Sequence, residues 1–338
     1  MNKKIAAITG LVILALGITG YLFYSKHARV VPVNIISADR KIPIHDVKMF
    51  LNGFPMQSAS EDPRKSFSKE IVNAYTVRFF KFIQTEIVYT NREEHLKAVK
   101  EYLRSVLDQG KADEIFALYE KFLDYEVNLK EKAKSWSNPR NSEELLRYLK
   151  AVQDYRREVF GSDVADAMWG AEVKANEYSI RKNEIKTDPN LYGAEKEKKI
   201  NSLKEDMWGD DASLVEEPPQ SDPEKFASYQ DKQVIYQKDL RELPEDQRME
   251  RIKNFRNELF SPEQIARLEQ VDEQIQAEKM READYFTREE AIKNDSSMDN
   301  DKKAQAIRDL QDHFFGDDAE AFRRRLNIKD NMDMKGRK

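Results

Sequence analysis

Four histidines are the first residues to weigh for chemistry: His27, His45, His95 and His313. Imidazole supplies general bases and metal ligands near neutral pH, but none of the four stands in a pattern that uses it. The chain has no HExxH pair for zinc, no GxSxG turn for a serine nucleophile and no GxxxxGK[ST] loop for a phosphate. His95 and His313 sit alone in polar helical contexts. There is no cysteine, so disulfides, thiolate metal sites and cysteine nucleophiles are excluded. Aspartate and glutamate number 62, so a pair of neighbouring carboxylates carries no information about acid–base catalysis. Asp299-Asn300-Asp301 lacks the glycine and the distal glutamate of a calcium loop. The sequence therefore points to no enzyme, no cofactor, no metal and no small-molecule substrate.

Binding chemistry is what remains. The formal net charge is −5, with both signs interleaved, which is not the clustered basic footprint of a nucleic-acid binder. The most aromatic run of the body is Tyr75 to Ile83. Tyr75, Phe79, Phe82 and Ile83 follow the spacing of a helix core face, and Arg78 and Phe80 fall partly off it. Aromatic and arginine side chains off a core face are the usual anchors of a protein interface. Tyr75, Arg78, Phe80 and Phe82 are accordingly the candidate partner-binding residues, with plain packing as the other reading.

Helices must position these groups. Glycine and proline number only 11 each in 338 residues, and good helix formers fill most of the chain. The 17 Phe and 14 Tyr argue against disorder despite a charged fraction of 35%. Four segments end alike, at Val159-Phe160-Gly161, Met207-Trp208-Gly209, Leu259-Phe260-Ser261 and Phe314-Phe315-Gly316. Counting the last aromatic as zero, apolar residues stand at −8, −5, −1 and 0 in each, which is one face of a helix. Gly161, Gly209, Ser261 and Gly316 then act as stops. Ser162-Asp163, Asp210-Asp211, Pro262-Glu263 and Asp317-Asp318 begin the next element. The aromatic at each corner reads as a core plug. Copies are 48, 52 and 55 residues apart, unlike a solenoid of fixed period.

The resulting fold class is all-α. Helices are expected over 66–90, 92–108, 112–135, 142–160, 162–186, 193–208, 224–240, 245–260, 262–293, 299–315 and 317–328. The heavily charged helix 262–293 cannot bury both faces. Residues 5–24 carry no charge and at about 30 Å would span a bilayer as a helix, with Tyr21 and Tyr24 near the far end. They read as an uncleaved transmembrane anchor. A linker over 25–64 follows, with four prolines and one short ordered piece around Val47–Phe54, and residues 329–338 read as a disordered tail. A single-pass bacterial inner-membrane protein with its body in the periplasm is the expectation.

The body also resembles the lipase-specific foldases, or lipase chaperones, of Gram-negative bacteria. The resemblance covers nearly all of residues 45–328. It rests on YRREVFGSDVADAMWGAE (155–172), NELFSPEQIARL (257–268) and LQDHFFGDDAEAFRRRL (310–326). It implies two small three-helix domains joined by an extended helical domain, together forming a clamp. Here those would be 65–138, 261–328 and 139–260. It further implies a steric, ATP-independent foldase that wraps a secreted lipase or related hydrolase. The family signature, Arg-x-x-Phe-Asp-aromatic, is degenerate in this chain. With Phe80 on the signature Phe, Lys81 stands where Asp belongs and Val77 where Arg belongs. Only Phe80 and Phe82 carry over. An envelope scaffold that keeps the clamp on a non-lipase partner, without foldase activity, is the alternative.

Overall fold

A computed structural model describes residues 35–36, 41–51, 63–216 and 218–326. Every regular element among them is helical. The expected anchor, 5–24, and tail, 329–338, lie outside the described residues. No helix among the described residues is long and apolar enough to cross a membrane. The chain divides into two compact units, 1–248 and 249–338.

The first unit runs through α1 (Ile44–Leu51), α2 (Pro63–Ser66), α3 (Thr76–Glu86), α4 (Arg92–Val106), α5 (Gln109–Ala133), α6 (Ser142–Phe160), α7 (Ser162–Thr187) and α8 (Gly193–Trp208). A 3-10 turn over Gly209–Leu214, α9 (Asp222–Ile235) and α10 (Gln237–Glu242) complete it. Asparagine or aspartate caps begin three of these helices: Asn91, Asp108 and Asn141 each accept a hydrogen bond from the backbone N–H three residues on. One core gathers Phe80 and Ile83 of α3, Val99 and Leu103 of α4, Tyr119 and Phe122 of α5, Leu146 of α6 and Trp169 of α7. The helices on either side of residue 138 share this core.

The expected linker is not all spacer. Ile35 is buried in the main core, and α1 packs on α7. Val47 of α1 is buried against Ala171 and Ala175, with Ile44, Phe50 and Leu51 alongside. Gly170 lets the segment approach closely, because a Cβ there would lie 2.7 Å from Ile42 Cδ1.

The second unit holds most of α11 (Glu245–Leu259), α12 (Pro262–Asn294), α13 (Asn300–Phe315), a 3-10 turn over Gly316–Asp318 and a helical end over 319–326. Ser261 caps α12 in a capping box with Gln264, with Pro262 in the first turn. Tyr285, Phe315, Ala319 and Phe322 form its core.

The four corners are of two kinds, used in alternation. At Gly161 and Ser261 the chain restarts at once as a long α-helix. At Gly209 and Gly316 it enters a 3-10 turn, with nearly identical backbone angles of φ 56°, ψ −124° and φ 50°, ψ −122°. Only glycine reaches that region without strain. The irregular spacing of the four sequence copies thus reflects one longer module, used twice.

Candidate interaction surface

At the first corner, α6 and α7 are held by buried polar groups. Arg156 donates to the Tyr125 hydroxyl (3.0 Å) and reaches Glu172 (3.5 Å), with its guanidinium 4.8 Å from the Trp169 ring centre. Gln153 and Arg157 both donate to Asp166, at 2.8 Å and 2.9 Å. At the third corner Arg256 bonds Asp272 (2.5 Å), again sixteen residues on. The polar residue four places before each corner aromatic is Arg156, Lys204, Arg256 or Gln311. Each reaches across the turn, Lys204 to Glu216 and Gln311 to Arg323. Sequence reasoning missed these groups because long polar side chains on a charged helix read as solvated. Their recurrence at one position of the repeat was the available signal.

Three of the four corner aromatics pack against other rings. Phe160 meets Tyr125 at 5.3 Å and Trp169 at 5.1 Å. Trp208 meets Tyr178 edge-on at 5.0 Å, and Phe315 stacks on Phe322 at 3.8 Å. Phe260 is half-buried, and Gly161, Gly209, Ser261 and Gly316 are exposed.

The aromatic run on α3 behaves differently from its sequence reading. Phe80 is fully buried, 5.2 Å from both the Tyr119 and Phe122 rings, so a partner does not reach it in this arrangement. The helix turns Thr76, Phe80 and Ile83 inward, and Phe79 leans on Phe67 at 5.1 Å instead. Tyr75, Arg78 and Phe82 are half-buried on the flanks, with Phe82 stacked on Phe79. Lys81, at the odd position of the signature, is partly solvated. It donates to Glu126 of α5, which also accepts from Gln84 at 2.5 Å. An aspartate at 81 would face that carboxylate.

His95 is a brace. Its Nδ1 lies 2.7 Å from the Ile87 carbonyl and its Nε2 2.7 Å from the Tyr119 hydroxyl. A carbonyl only accepts, so Nδ1 carries a hydrogen, and in the neutral ring Nε2 accepts from Tyr119. Burial pushes the Tyr119 hydroxyl well above its ordinary pKa.

Among the described residues, a long bare surface lies on α12. Between Ile265 and Tyr285 no residue of this helix is buried, a stretch of roughly 28 Å at 1.5 Å per residue. Leu268, Val271 and Ile275 follow helical spacing along it, and Val271 and Ile275 are 48% and 45% exposed. Met280 and Phe286 are also exposed. Among residues 266–282 the acidic side chains are Glu269, Asp272, Glu273, Glu278 and Glu282, against Arg267, Lys279 and Arg281. Apolar residues rimmed by charge suit contact with another protein.

These features define a class: an all-helical protein of braced corners, with one long helix left half bare. The family within that class is also shown. Residues 118–320, more than half of the chain, match the model of the proteobacterial lipase chaperone protein family. The chain belongs to that family. The matched stretch holds all four corners and the whole of α12, whereas residues 75–82 lie outside it.

Proposed function

We propose that this protein is a membrane-anchored, periplasmic steric chaperone that wraps a secreted lipase or a related hydrolase and helps it fold without ATP. Its membership of the lipase chaperone family carries the reading. The uncharged run over 5–24 supports the anchor. The aliphatic row on α12 supports a protein client. In this reading residues 65–138 and 261–328 are the two grips of the clamp, the helices over 139–260 join them, and Tyr75, Arg78 and Phe82 rim the first grip. The direct test is complex formation. The full-length chain in detergent is mixed with secreted proteobacterial lipases diluted from denaturant. Co-elution with one of them is expected, and absence of any complex would overturn the reading.

A second reading is a scaffold that keeps the grip but not the foldase activity. The Lys81–Glu126 pair at the altered signature favours it. In that case a pull-down from envelope extracts recovers a partner that is not a hydrolase, and recovery of a lipase counts against it.

A further inference from the structure

The two units contain the same module, and the first shows what covers the face that the second leaves bare. The register is fixed at the corner: Arg156 reaches Glu172 and Arg256 reaches Asp272, each across sixteen residues. Ala165 and Ile265 are then equivalent buried residues, Met168 matches Leu268, and Ala171 matches Val271. Further along, the same pairings recur with an offset of 107 residues. Lys174 lies over the Trp208 ring and Arg281 over the Phe315 ring. Lys196 donates to the Lys186 carbonyl and Lys303 to the Lys293 carbonyl. The α7 helix has 26 residues and α12 has 33. The longer helix has gained two turns, which preserves its facing.

In the first unit the face at Gly170, Ala171 and Ala175 is covered by α1, a short amphipathic helix with Ile44, Val47 and Leu51 along one side. Counted from the corner, the equivalent positions in the second unit are Val271 and Ile275, both exposed, with Leu268 half-buried beside them and Arg267, Glu278 and Lys279 on the same side of the helix. We infer that this α12 face docks one amphipathic helix of the client hydrolase, as α1 docks on α7 within the chain. The helix presents aliphatic residues at i, i+3 and i+7 or i, i+4 and i+7, with charged residues of both signs beside them to meet Arg267, Glu278 and Lys279. Val271 and Ile275 stand where small residues admit α1 closely, so the incoming helix carries its smaller side chains opposite them.

This inference rests on the chaperone reading, and its test separates the two. The full-length chain is used with a secreted proteobacterial lipase that the parent chain refolds. The chain has no cysteine, so Val271→Cys gives one labelling site for a benzophenone crosslinker. Val127→Cys, at a position 62% exposed in the first unit, is the control. The expected adduct lies on a lipase helix with the stated pattern and is absent from the control. Val271→Asp combined with Ile275→Asp should weaken lipase binding at least about tenfold, with helicity unchanged. If no lipase is refolded by the parent chain, the reading and the inference both fall. If one is refolded but the double variant binds it like the parent, only the inference falls. An adduct on a lipase loop or strand also overturns it. So does a double variant whose oligomeric state shifts without lipase, since a second copy of the chain would then cover the face.

Discussion

Tyr178 and Tyr285 hold the same place in the two units. Each stands thirty residues before a corner aromatic and meets that ring edge-on, Tyr178 with Trp208 at 5.0 Å and Tyr285 with Phe315 at 5.3 Å. Tyr178 donates to Glu216, while the Tyr285 hydroxyl accepts from Gln311 and donates to Glu289. Burial first, and then the Glu289 carboxylate, push the Tyr285 hydroxyl up to about 12. The ring pair locks the long helix to the 16-residue helix that returns along it. Double-mutant cycles to alanine on Tyr285 and Phe315 should give a coupling of about 0.5–1.5 kcal/mol. The Tyr178 and Trp208 cycle should give a value in the same range. Additive effects in both cycles would contradict the equivalence.

The glycines at two corners should be costlier to replace than the serine at another. Gly209→Ala and Gly316→Ala force a side chain into positive φ with open space around it, so the penalty is backbone strain of about 1–3 kcal/mol. Ser261→Ala loses only a cap, about 1 kcal/mol. Urea unfolding of each variant measures this, and equal costs at all three positions would argue against the two kinds of corner.

Phe80→Ala should destabilise the first unit by about 3–5 kcal/mol, the usual cost of emptying a phenylalanine site in a core. Its effect on client binding should follow from that loss of fold. Phe80→Leu should retain binding while Phe80→Ala does not. A binding defect in the Leu variant with unchanged thermal stability would restore Phe80 as a contact residue.

Lys81→Asp should cost about 1 kcal/mol, because both partners of the Lys81–Glu126 pair are partly solvated. Adding Glu126→Lys should recover most of it. Chemical denaturation of the single and double variants decides the matter, and strictly additive losses would show that the pair does not couple.

Glu216 should contribute to acid sensitivity. Burial raises its carboxyl pKa, but Lys182, the Tyr178 hydroxyl and Lys204 outweigh that, and the net value lies below the ordinary 4.5. A depressed carboxyl stabilises the fold at pH above 4.5 and loses that contribution as pH falls through the lower folded value. Its side chain is 37% exposed, so the contribution is about 0.5–1 kcal/mol. The stability gap between the parent and Glu216→Gln should be flat above about pH 5 and close on acidification. A gap that widens in acid would reverse the assignment.

The corners were legible in the sequence because their signals are local: an aromatic, a glycine or serine, then acidic or capping residues. Their sorting into two kinds was not, since it depends on the backbone angles beyond Gly209 and Gly316. Helix α3 shows a different limit. With aromatic residues at 79, 80 and 82, more than one face satisfies helical periodicity. Packing against Tyr119 and Phe122, some forty residues on, decides that Phe80 turns inward. The braces Arg156, Asp166, Arg256 and Asp272 were hidden because charge on a helix usually faces water. The exposure of α12 was foreseeable from its charge, and the value of Val271 and Ile275 emerged only beside α7 and its covering helix.

Refolding of a secreted lipase decides whether this chain folds a hydrolase. A secreted proteobacterial lipase is denatured, diluted into buffer without ATP, and assayed for regained activity with and without the full-length chain. Active lipase is expected only when the chain is present, in proportion to it up to one equivalent. Recovery that is the same with and without the chain, across the lipases tried, would contradict it.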